Sequence, residues 1–102
     1  MDIIINRSHP QPDMGLLTLQ GELSMRNATA VRQALSAALA EHTDVHIVLS
    51  EVASLDLSVL QLLYAAKQAP GHNVTVEANL SPSIAEVVQR AGLFDPIFTQ
   101  RP

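Results

Sequence analysis

The run Val45-His46-Ile47-Val48-Leu49 holds four aliphatic residues out of five and no Gly, Pro, Asn or Asp. So short and continuous an apolar stretch is expected of a strand buried on both faces in the middle of a sheet. The residues before it repeat differently. Ala28, Val31, Ala34, Leu35, Ala38 and Leu39 recur at helical spacing, with Arg32, Gln33 and Ser36 on the opposite side. A helix feeding a central strand predicts a crossover connection and a parallel neighbour for that strand.

The rest of the chain fits around this unit. Ile3 to Asn6 and Leu16 to Leu19 are short β-compatible runs, separated by "RSHPQPDMG", whose prolines, Asp and Gly mark a turn. They predict a hairpin. "NVTVEA" alternates Val74, Val76 and Ala78 with Thr75 and Glu77, as a half-buried strand does. Ser81-Pro82 then reads as a helix cap and first helical residue. Ile84, Val87, Val88 and Ala91 form the predicted inner face of that helix, Gly92 stops it, and the apolar residues of "LFDPIFTQRP" are expected to dock on the body. The predicted architecture is a single α/β domain over residues 1–102 in the order β-β-α-β-α-β-α. Its mixed sheet has four strands, with room for a fifth, and is covered by helices.

Composition narrows the function. An apolar content of 47% over 102 residues suits one core, and three aromatic residues (Tyr64, Phe94, Phe98) make no stacking platform for bases or sugars. A net charge of −4 with scattered basic residues argues against nucleic acid. The lack of cysteine excludes a disulfide framework and Cys-ligated zinc. The opening "MDIIINRSHPQPD" is no signal peptide, and no segment nears the ~20 apolar residues of a membrane span, so a cytoplasmic chain without membrane insertion is expected. His42 and His46 have the spacing of a helical metal pair, but Thr43-Asp44 ends the helix between them. His9 and His72 read as turn residues, so neither a metal nor a cofactor is expected.

The stretch "SLDLSVLQLL", Ser54 to Leu63, places an acid and a hydroxyl two residues apart at the mouth of an apolar helix. With Asp56 as the helix cap, Ser58 falls in the first turn, where free N–H groups and the positive helix end favour a phosphate. At about 100° per residue, Ser58, Gln61, Ala65 and Gln68 form a narrow polar stripe edged by Leu57 and Leu62. Val59, Leu60, Leu63 and Ala66 turn to the core. So thin a strip suits docking better than solvation. The expected partner surface is Asp56, Leu57, Ser58, Gln61 and Leu62, with Glu22, Ser24, Met25 and Arg26 beside them. No Gly-x-Ser-x-Gly elbow is present, and Asp56 and Ser58 are too close to flank an imidazole, so an enzyme is not expected.

Over most of its length the chain resembles the STAS domains of anti-sigma factor antagonists and of the cytoplasmic parts of sulfate transporters. The resemblance lies in "GELS" before the first helix, in "VHIVLSEVASLDLSVLQLL" and in "GHNVTVEANLSPSIAEVVQRAGL". It implies a mixed sheet covered by helices and an Asp-Ser-Ser-Gly-like motif whose second serine a partner kinase phosphorylates. Asp56 matches the Asp and Ser58 the phosphoacceptor, while Leu57 and Val59 replace the intervening Ser and the Gly. "DLSVLQLL" is also similar to variants associated with chemotaxis and two-component proteins. The implied partner is an anti-sigma factor, a serine-kinase-like protein or such a signalling protein, with binding switched at Ser58. Another course is a scaffold that is never phosphorylated, such as the small subunit of a lipid-transport ATPase, a role some stand-alone STAS proteins fill.

Overall fold

The computed structural model describes residues 3–11, 14–92 and 97, and in it the apolar run Val45 to Leu49 is the first half of a much longer strand. The elements are β1 (Ile3–Gln11), β2 (Met14–Leu23), a 3-10 turn (Met25–Asn27), α1 (Ala28–Glu41), β3 (Asp44–Leu55), α2 (Leu57–Lys67), β4 (Asn73–Ala78) and α3 (Pro82–Arg90). The sheet order is β1-β2-β3-β4, with β1 antiparallel to β2 and the other two pairings parallel. The order and the four-stranded mixed sheet are those expected, and no fifth strand occurs among the described residues.

The hairpin is longer than its apolar residues foretold. β1 continues through Arg7, Ser8, His9 and Pro10, so His9 is a strand residue and not a turn residue. Pro10 falls on this edge strand between Ser8 and Gln11, where the register with β2 is irregular, and a residue without an N–H donor is tolerated at such positions. Pro12 and Asp13 of the expected turn lie outside the described residues. Gly15 is no turn residue either. It sits in β2, and a Cβ there would come within 2.6 Å of Cδ2 of the His42 ring, so glycine is required by a close approach.

Leu17 and Leu19 of β2, Val45, Ile47 and Leu49 of β3, and Val74 and Val76 of β4 are all buried, and the strand register puts them on one face. Val31, Leu35 and Ala38 of α1 join the same cluster, as do Val59, Leu60, Leu63 and Ala66 of α2. The other face of β3 departs from expectation: His46 and Val48 are only half-buried. There His46 hydrogen-bonds the Thr75 hydroxyl with Nδ1 and reaches Glu77 Oε1 with Nε2 at 3.1 Å. The central strand is thus sealed on one face only.

Ser81 caps α3 as expected, its hydroxyl accepting from the Ile84 N–H at 3.4 Å, with Pro82 in the first turn. The inner face of α3 is narrower than its periodicity predicted. Val88 is fully buried and Ile84 packs against the core, one turn apart. Val87 is 56% exposed, and Ala91 is exposed as well. A short amphipathic helix lying on a core it only brushes needs one i,i+4 pair, and Val87 falls outside it. Of the tail expected to dock, only Ile97 is described, and it is buried. Among the described residues no helix is long and apolar enough to cross a membrane.

Candidate functional site at the first turn of α2

The site is made where β2 and β3 end side by side. Up to Gln20 opposite Ser50 the parallel register is regular. Then Gly21 pairs with Val52 and Glu22 with Ser54, so β3 carries Glu51 and Ala53 as extra residues. Glu51 takes up its bulge at a φ of 49°, and Gly21 opposite has a φ of 96°. Such bulges bend a strand and increase its twist. Leu23 and Leu55 then end opposite each other, both buried, and the chain leaves the sheet at Ser24 and Asp56.

Asp56 stands at the cap position of α2 but does not cap it. Its N–H donates to the Leu23 carbonyl at 2.9 Å, which extends the ladder by one bond, and its Oδ2 accepts the Met25 N–H at 3.0 Å. The carboxylate therefore serves the 3-10 turn ahead of α1 rather than its own helix. The N–H groups of Val59 and Leu60 donate to the Asp56 carbonyl at 3.1 and 3.0 Å, while those of Leu57 and Ser58 make no hydrogen bond among the described residues. A helix end with free donors and its positive dipole end is left facing outward.

Three further bonds fix the segment that Asp56 holds. The Ser24 hydroxyl donates to Glu22 Oε2 at 2.7 Å, the Asn27 side-chain amide to the Glu22 carbonyl at 2.7 Å, and the Asn27 N–H to the Ser24 carbonyl at 2.9 Å. The Ser24 bond holds the Glu22 carboxyl below its usual range. Met25 is left 73% exposed at the top of this braced turn, and Leu57 is 54% exposed at the start of α2. Arg26 also points to solvent.

On the other side of the turn, an open groove of about 390 Å³ runs between the two helices, lined by Ala28, Thr29 and Arg32 of α1 and by Ser58, Gln61 and Leu62 of α2. Leu62 is half-buried against the core, whereas Gln61 is exposed. Ser58 differs from expectation: its Oγ is shielded from solvent and has no hydrogen-bond partner among the described residues. The predicted residues thus fall into two adjoining groups, Met25, Asp56 and Leu57 on one side and Ser58, Gln61 and Leu62 on the other. Sequence reasoning missed the α1 wall, because Arg32 read only as the solvent side of its own helix. The available signal was that helices leaving neighbouring parallel strands pack side by side. Among the described residues there is no cluster of His, Asp or Glu able to hold a metal ion.

Residues 9–99 match the family model described as Mlab, STAS domain. Among solved structures, an anti-sigma factor antagonist from Mycobacterium paratuberculosis is 25% identical and superimposes with a TM-score of 0.81, over 99% of this chain and 86% of that one. The anti-sigma factor antagonist SpoIIAA in its unphosphorylated form shares 19% identity at a TM-score of 0.72, over 97% of this chain and 89% of that one. The Bacillus cell fate determinant SpoIIAA in the phosphorylated form shares 20% at 0.64, over 97% and 92%. No curated protein sequence matches the chain.

Proposed function

The chain belongs to the STAS domain family, and on that premise we propose that it is a non-enzymatic, cytoplasmic signalling protein, one domain over residues 1–102, that docks on a regulatory protein through the first turn of α2. The partner is an anti-sigma factor, a serine-kinase-like protein or a chemotaxis or two-component signalling protein. The observation that carries this reading is the braced turn. Asp56 ties Met25 to the start of α2, leaving two large apolar side chains, Met25 and Leu57, exposed beside it. An apolar patch held rigid and rimmed by Glu22, Arg26 and Gln61 has the make-up of an interface core and its polar rim.

Binding is switched at Ser58. A nucleoside triphosphate held by the partner kinase gives its γ-phosphoryl group to Oγ, the hydroxyl proton leaves, and the nucleoside diphosphate departs. The added charge of about −1.5 to −2 opposes docking of an apolar or acidic surface, while the free N–H groups of Leu57 and Ser58 tolerate it locally. The shielding of the Ser58 hydroxyl favours a second reading, the unphosphorylated scaffold of a membrane lipid-transport ATPase. One set of experiments separates them. Leu57→Lys should weaken partner binding more than tenfold at unchanged melting temperature, since the residue lies outside the core. Ser58→Asp should do the same, and intact-protein mass spectrometry from the native host should find one phosphate. Wild-type binding by Leu57→Lys rejects the docking face; full binding by Ser58→Asp with no phosphate in the host leaves the scaffold.

A further inference from the structure

We propose that Arg32 of α1 is the receptor for a phosphate on Ser58, so that the modified side chain pairs across the groove and closes it. This rests on Ser58 being the switch and says how the switch is read within the chain. Three observations lead to it. Arg32 and Ser58 line the same groove from α1 and α2, and among the described residues of that lining Arg32 alone is charged. Arg32 is exposed and forms no ion pair or hydrogen bond among the described residues, unlike Arg7 with Glu41 and Arg90 with Glu86. The carboxylate nearest in sequence to Ser58, that of Asp56, is occupied by the Met25 N–H, on the far side of the turn from the groove.

A guanidinium presents a planar fork of donors that matches phosphate oxygens two at a time. The groove wall is otherwise small or neutral, with Ala28, Thr29, Gln61 and Leu62, so it has room for a phosphate and offers no competing charge. Pairing draws the phosphate over Gln61 and Leu62 and takes both away from a partner. The modification then acts by covering the groove as well as by adding charge, and α1, which carries no phosphoacceptor of its own in this scheme, becomes part of the switch.

The test installs phosphoserine at position 58 by encoded incorporation and follows the phosphate by 31P NMR as pH is varied. In the otherwise wild-type chain its second ionisation should lie below the ordinary value of about 6, and Arg32→Gln should raise it by about half a unit or more. Arg32→Lys should restore part of the shift, and added salt should shrink the difference. Coincident midpoints for wild type and Arg32→Gln would overturn the proposal, and so would a phosphoprotein that fails to fold, because the groove could not then have received the group. The installed phosphoserine makes the result independent of any kinase. A host that never phosphorylates Ser58 refutes the switch and leaves this measurement standing.

Discussion

Asp56 shows how one carboxylate can serve a neighbour instead of its own helix. A capping Asp normally satisfies one of the free donors of the helix it begins; here Oδ2 goes to Met25, and the donors of Leu57 and Ser58 stay open. Glu22 completes the arrangement from the other side, with the Ser24 hydroxyl donating to it and keeping its carboxyl ionised to lower pH than usual. Because the folded value lies below the unfolded one, ~4.3 for Glu, the bond contributes fully above that unfolded value and its contribution fades as pH falls through the folded one. An NMR titration should therefore place the Glu22 midpoint below that of a model Glu, and Ser24→Ala should bring it back up. An unchanged midpoint in Ser24→Ala would show that the hydroxyl is not the cause.

At the scale of elements, what the sequence told depended on periodicity. Ala28 to Leu39 and the stripe from Ser58 to Gln68 each repeat with a period that fixes both the element and its buried side, and α1 and α2 follow them, whereas the continuous run Val45 to Leu49 fixed β3 as a strand but not that only one of its faces is buried. "SEVASL", Ser50 to Leu55, has no such period because two bulges break the alternation, and it hid the half of β3 that delivers Asp56. Glu51 gave no warning, being a residue seldom found at positive φ. Contacts between elements were equally silent: nothing in Arg32 or Gly15 alone names the groove or the His42 ring it must accommodate. In α3 the apolar pair Val87-Val88 is ambiguous by sequence, and the fold resolves it. Val88→Asp should bury an unpaired charge and cost several kcal/mol, enough to unfold the domain, whereas Val87→Asp should cost under about 1 kcal/mol. Equal melting of the two variants would contradict the placement of α3.

Across the whole molecule the described residues fill 36 × 32 × 20 Å, and the short axis accommodates a sheet and a single layer of helices about 10 Å away. The middle of β3 is bonded on both sides and covered by α1 and α2, and the cover falls off from there to the exposed Met25 and Leu57 beyond the strand ends, where the proposed docking face and Ser58 lie. That gradient bears on how a kinase reaches a shielded hydroxyl. Unfolding the domain to expose Ser58 Oγ would cost the global ~5–15 kcal/mol. Opening the first turn breaks the Val59 and Leu60 bonds to Asp56 and disturbs the two buried side chains those residues carry, far less than the whole core, and among the described residues the Leu57 and Ser58 donors have no bonds to lose. Local opening of this kind is the ordinary low-energy end of native-state fluctuation. Hydrogen exchange should therefore find the Leu57 and Ser58 amides almost unprotected, and those of Val59 and Leu60 exchanging through openings nearly insensitive to denaturant. Amides of Ile47 and Leu49 should exchange only through global unfolding, with the full denaturant dependence. If Val59 and Leu60 proved as protected as Ile47 and shared its denaturant slope, the first turn would not open separately, and phosphorylation of Ser58 in the folded state would lose its route.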